Sequence, residues 1–166
     1  MLQFSTQFLI PAASLGLLLI AATTDLAWRI IPNRICLLVA SLGLVAQILL
    51  GQWAAALFGA ALVFGICLVL WRCRIIGGGD AKLLPAVALC VPPDNVLTLF
   101  MTITLVGAGL GILYLALRPL LRHRAPGLRP LIWWRRALRV ERWRIGRGGP
   151  LPYGVAIAAG TFLAII

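Results

Sequence analysis

The sequence predicts an all-α membrane protein: a polytopic bundle of about six transmembrane helices. Three observations predict it. Of 166 residues, 62% are hydrophobic and 11% are charged, against about 45–50% apolar and about 25% charged in a soluble domain. Long apolar runs recur, separated by short polar breaks. The basic residues collect in alternate breaks. This composition excludes a soluble globular domain, a disordered tail and a disulfide scaffold. The length fits a single compact unit, 1–166.

A spanning helix needs about 20 mostly apolar residues. The first candidate runs from Phe8 to Thr24. It has neither a basic leader nor a small-residue cleavage site, so it reads as an uncleaved span rather than a signal peptide. The second runs from Ile35 to Leu50, Gly51-Gln52 make a tight turn, and the third runs from Trp53 to Trp71. Arg72 and Arg74 stop it. Gly77-Gly78-Gly79 then opens a segment from Asp80 to Val91, which at 12 residues is short. It is either extended by its flanks or re-entrant. Pro92-Pro93-Asp94-Asn95 has turn composition, with Asp94 as a turn residue or cap. The fifth span runs from Val96 to Leu117 and the last from Leu151 to Ile166.

Charge tests this map. Arg29 and Arg34 follow the first span, Arg72, Arg74 and Lys82 follow the third, and ten arginines lie in 118–149, after the fifth. With six spans, all 15 basic residues fall on one side. The positive-inside rule makes that side the cytoplasm and puts both termini outside. A formal net charge of +11 is then explained by anionic lipid headgroups, and no nucleic-acid partner is needed. Within the basic segment, Leu131, Trp134, Leu138 and Ile145 recur at near-helical spacing, beside Trp133 and Trp143. That pattern predicts an interfacial helix within a cytoplasmic loop over 118–149; a solvated basic loop is the plainer alternative. Cysteines 36, 67, 73 and 90 form no CxxC pair, so inert thiols are expected rather than a zinc site.

Only four acids are present: Asp25, Asp80, Asp94 and Glu141. Glu141 is expected to offset an arginine of its own segment. Asp25 closes the first span and Asp80 opens the fourth, both at the cytoplasmic boundary. Ionisable groups at such depth are costly and mark function. Two carboxylates that meet share a proton, one serving as base and the other as acid. The plainer reading is that each caps a helix or pairs with an arginine. The glycine run before Asp80 favours chemistry, because residues without a Cβ let another backbone approach. Lys82 either holds a carboxylate in its charged form or contacts substrate, or else anchors at the interface. His123 stands among arginines with nothing to complete a triad or metal shell.

Three motifs in order carry a resemblance. They are Asp25-Leu26-Ala27-Trp28-Arg29-Ile30-Ile31-Pro32-Asn33, Gly77-Gly78-Gly79-Asp80-Ala81-Lys82-Leu83, and Leu151-Pro152-Tyr153-Gly154-Val155-Ala156. Together the chain resembles the type IV prepilin peptidases, membrane aspartic proteases marked by GxGD. The resemblance implies Asp25 and Asp80 as the catalytic pair, with Gly77, Gly79, Lys82, Pro32, Asn33, Pro152, Tyr153 and Gly154 as supporting motif residues. It implies prepilin or pseudopilin substrates with a short basic leader, cut after a glycine at the cytoplasmic face of a bacterial inner membrane. No metal or organic cofactor is expected. The missing CxxC pairs and the start close to the first span resemble the short peptidase-only branch of tight-adherence (Flp-type) pili, without N-methylation. The arginine-rich insertion is unassigned, and docking to lipid or pilus machinery is one reading of it. Two alternatives stand: a GxGD protease of the presenilin or signal-peptide-peptidase kind, and a non-enzymatic cationic scaffold or ion-conducting protein. The first pairs a Tyr-Asp with a later Pro-Ala-Leu, whereas here Thr24 precedes Asp25.

Overall fold

In a computed structural model, residues 2–121 and 133–165 are described, with side chains described over 12–121 and 138–165. The described chain is helical: α1 (Leu2–Trp28), α2 (Asn33–Leu49), α3 (Trp53–Arg72), α4 (Gly78–Ala88), α5 (Val96–Leu121), α6 (Trp133–Arg147) and α7 (Tyr153–Ile165), with one 3-10 turn at Pro93–Asn95. Six of the seven are apolar, and α6 is the arginine-rich exception. Leu131 and His123 lie outside the described residues, as do the side chains of Trp133 and Trp134.

The predicted elements all form, with shifted ends. Helix α1 continues past Thr24 to Trp28, so Asp25 lies within its last turn. It stops at Arg29, a non-glycine residue at φ 56°. Gly51 at φ 72° makes the turn into α3; its amide reaches the Ile48 carbonyl at 3.1 Å. Helix α5 runs four residues beyond the expected end, to Leu121. By length and composition, α3 and the stretch Pro93–Leu121 are long and apolar enough to cross a bilayer, while Ala12–Trp28, α2 and α7 are shorter apolar helices.

The outer faces of these helices are apolar. Phe58 on α3 is 75% exposed, Leu105 on α5 72% and Leu37 on α2 71%. In water such a surface would aggregate; against lipid it is the ordinary exterior of a bundle. Small residues do the packing inside. A Cβ on Gly43 of α2 would lie 2.7 Å from the Leu89 carbonyl carbon, and one on Gly160 of α7 would lie 2.5 Å from Ile103 Cα. Only glycine permits these backbone approaches, as interhelical packing in lipid favours.

Helix α4 has 11 residues, about 17 Å of rise against about 30 Å of hydrocarbon. It is nonetheless the most enclosed element, with Leu83 through Leu89 all buried. Its start is tied to the start of α2, where Lys82 Nζ donates to Asn33 Oδ1 at 3.0 Å. The chain beyond its end is tied to the last turn of α2. There the Gln47 amide donates to the carbonyls of Leu89 at 3.2 Å and Val91 at 2.8 Å. So α4 plus Leu89–Val91 runs alongside nearly the whole of α2. The flanks extend the short segment, and a buried glutamine satisfies carbonyls that the helix leaves open, as an apolar interior demands.

These ties also order the ends. Asn33, Lys82, the Trp71 side chain beside Gly78, and Tyr153 packed on Gly107 all lie at one end. Every described basic residue is near that end: Arg29, Arg34, Arg72, Arg74, Lys82, Arg118 and those of α6. The predicted one-sidedness of charge is thus present in the fold.

Candidate active site

At the arginine-rich end a cavity of about 640 Å³ opens. Its wall includes Asp25 from the last turn of α1 and Asp80 from the first turn of α4, 55 positions apart in sequence. Arg29, Lys82 and Tyr153 share the wall, together with the isoleucine pairs 30–31 and 75–76.

Asp25 is 8% exposed. Its Oδ2 accepts the backbone N–H of Gly154 at 2.9 Å, across 129 positions of chain. Gly154 lies in the first turn of α7, whose amides are unpaired within the helix and favour an anion. A Cβ at Gly154 would meet that same Oδ2 at 2.9 Å. Glycine is therefore required here for close approach. Pro152, fully buried just ahead of the helix, sets the entry. Neither Pro152 nor Gly154 lines the cavity; Gly154 contacts Asp25 and Pro152 precedes Gly154 in the chain.

Asp80 is half-buried at the start of α4, where Gly77 is the N-cap residue. Each glycine of the run meets a different neighbour. A Cβ on Gly77 would lie 3.0 Å from Asp80 Oδ2, one on Gly78 3.1 Å from Trp71 Nε1, and one on Gly79 3.2 Å from Ile31. The run thus lets α4 start against both the end of α3 and the segment before α2, which brings Asp80 to the cavity.

Lys82 is exposed and bonded to Asn33. It joins α4 to α2 and lines the cavity. Pro32 is the residue before α2, extended at ψ 133°; it shapes the connection and does not line the cavity. Tyr153 packs its ring on Gly107 of α5, within 2.9 Å of where a Cβ would be, and lines the cavity beside the carboxylates.

Sequence reasoning passed over Arg29. It lines the cavity one helical turn after Asp25 and pairs with Glu141 of α6 at 2.7 Å. Glu141 does offset an arginine of its own segment, Arg144 at 3.1 Å, but Arg29 is its shorter partner. The only early signal was that Arg29 stands between Asp25 and Pro32 inside the first motif. Among the described residues no group of three His, Cys, Asp or Glu side chains is gathered for a metal. Cys36 and Cys67 are buried thiols in the packing, Cys90 is half-buried and Cys73 is exposed.

The fold and cavity define a class: a helical membrane-embedded protein with two carboxylates from different helices facing one pocket. A profile of the type IV leader peptidase family matches residues 12–114, and the chain belongs to that family. It is 29% identical over 156 residues to the prepilin leader peptidase/N-methyltransferase of Bacillus subtilis (strain 168), covering 92% of this chain. The chain spans 53% of the length of that relative. No solved structure matches it.

Proposed function

We propose that this chain is an aspartic endopeptidase that removes the basic leader from prepilins or pseudopilins. The observation that carries the reading is the meeting of Asp25 and Asp80 on one cavity wall. One carboxylate, ionised, takes a proton from a water as the water oxygen attacks the scissile carbonyl carbon. The other, protonated, donates to the carbonyl oxygen. Collapse of the tetrahedral intermediate breaks the C–N bond, and the departing amine receives a proton from the pair. The two titrate as a unit, so acid and base are roles of the pair.

The site lies at the arginine-rich end, which the positive-inside rule assigns to the cytoplasm. Cleavage then takes place at the cytoplasmic face of the inner membrane, with both termini outside. Residues 1–166 act as one peptidase domain, and α6, with Trp143 stacked under Arg147 at 4.5 Å, faces anionic headgroups. The reading includes peptidase activity without methyl transfer and a role with tight-adherence pili.

The test is cleavage of a tagged prepilin in membranes holding wild type, Asp25→Asn or Asp80→Asn at matched levels. Wild type should release a shortened pilin, and either substitution should slow release by about 10³-fold or more, the scale of general acid–base catalysis. Cleavage at the wild-type rate in either variant would remove that aspartate from the mechanism.

A further inference from the structure

We propose that Glu141, on α6, is a positioning residue for the Asp25–Asp80 site: it fixes Arg29 on the cavity wall and so makes the arginine-rich segment a working part of the active site. The inference rests on the enzymatic reading above and extends it to a segment that neither the family match, which ends at residue 114, nor the sequence motifs include.

Glu141 is 5% exposed. A carboxylate that buried is tolerated only with full pairing, and three side chains supply it. Arg29 Nη2 donates to Oε1 at 2.7 Å, the Tyr114 hydroxyl donates to Oε1 at 2.6 Å, and Arg144 Nη1 donates to Oε2 at 3.1 Å. These partners come from the end of α1, from α5 and from α6 itself. Arg144 Nη1 also donates to the Leu26 carbonyl at 3.0 Å. The last turn of α1 is therefore gripped at two points just after Asp25. Arg144 holds the carbonyl of the next residue, and Glu141 holds the arginine one turn on.

Arg29 caps the end of α1 at φ 56°, its amide bonded to the Asp25 carbonyl at 2.9 Å, so its backbone is tied directly to Asp25. Its Nε is buried with no partner among the described residues, so the guanidinium is oriented by its pairing with Glu141 rather than by several competing bonds. Charge counting isolates the interaction further. With 15 basic residues and four acids, most arginines have no carboxylate available. Yet the single acid of the arginine-rich segment is spent on an arginine 112 positions earlier, at the cavity.

Two measurements test this, and the first needs no turnover. Hydrogen exchange is followed on the intact protein in nanodiscs. With Glu141→Gln, which keeps shape and an acceptor, amides over 25–30 should exchange about tenfold faster, the cost of one weakened charge-assisted bond. Amides over 83–88 of α4 should be unchanged, showing that the bundle is intact. Unaltered exchange over 25–30 overturns the proposal. The second is prepilin cleavage, with Asp80→Asn as the control that tests the enzymatic reading by itself. Glu141→Gln should lower kcat about tenfold through misplacement of the site, with KM within about twofold. In an Arg29→Ala background the same substitution should change kcat by less than about twofold, because coupled residues are non-additive. A wild-type kcat in Glu141→Gln, or an equal loss in both backgrounds, overturns the route through Arg29.

Discussion

Buried polar side chains occur at both ends of the bundle. At one end Asp25 and Asp80 border about 640 Å³ of open space, and among the described residues the Asp25 carboxylate accepts one hydrogen bond, from the Gly154 amide. Toward the other end Gln47 is 1% exposed and its amide N–H groups donate to the carbonyls of Leu89 and Val91, while its Oε1 is buried with no partner among the described residues. The carboxylates border open space; the amide is enclosed, and its N–H groups go to backbone that the short α4 leaves unpaired. A polar residue in an apolar protein is thus not by itself a functional signal. The accompanying space separates the two cases, and Gln47 belongs with the architecture.

Adding one methyl group at two points of α7 sharpens this contrast. Gly160 and Gly154 are six positions apart, about 9 Å along the helix axis. Gly160→Ala would drive a Cβ into Ile103 backbone at 2.5 Å. Two helices must then separate, at a cost of about 3 kcal/mol or more for overpacking. The expected outcome is loss of folded protein, read as detergent-solubilised monomer yield and thermal stability. Gly154→Ala meets a side chain instead, Asp25 Oδ2 at 2.9 Å and Asp25 Cβ at 3.0 Å, so a small shift of α1 is needed as well. The carboxylate has cavity on one side and can yield, so the bundle should survive. Its hydrogen bond is displaced, and cleavage should fall by about 10²-fold, the scale of an ångström of misplacement at a reacting group. Equal stability losses in the two variants would break the distinction between the ends.

The smallest effect is expected at Gln47. Gln47→Leu keeps the volume and strands two carbonyls, a loss of about 1–3 kcal/mol. Stability should drop while cleavage per folded molecule stays at the wild-type level. A fall in specific activity comparable to that of Gly154→Ala would mean that the far end of α4 reports to the site, and the division would not hold.

Apolar composition, the periodic breaks and the placement of 15 basic residues determine by themselves that this is a helical bundle with one charged end. Those features follow from transfer free energies and helix length, which are properties of the local chain. The two aspartates and the glycine run were legible for the same reason: a carboxylate at the end of an apolar helix is anomalous wherever the chain goes next. Tertiary structure alone decided the rest. That the Gly154 amide binds Asp25, that Gln47 completes the passage of the short α4, and that Glu141 seizes Arg29 are pairings across 129, 44 and 112 positions of chain. Nothing in composition or spacing encodes such partners. They follow from which helix faces meet once small residues have allowed the backbones to close, and that closure satisfies the buried bonds only for the folded whole.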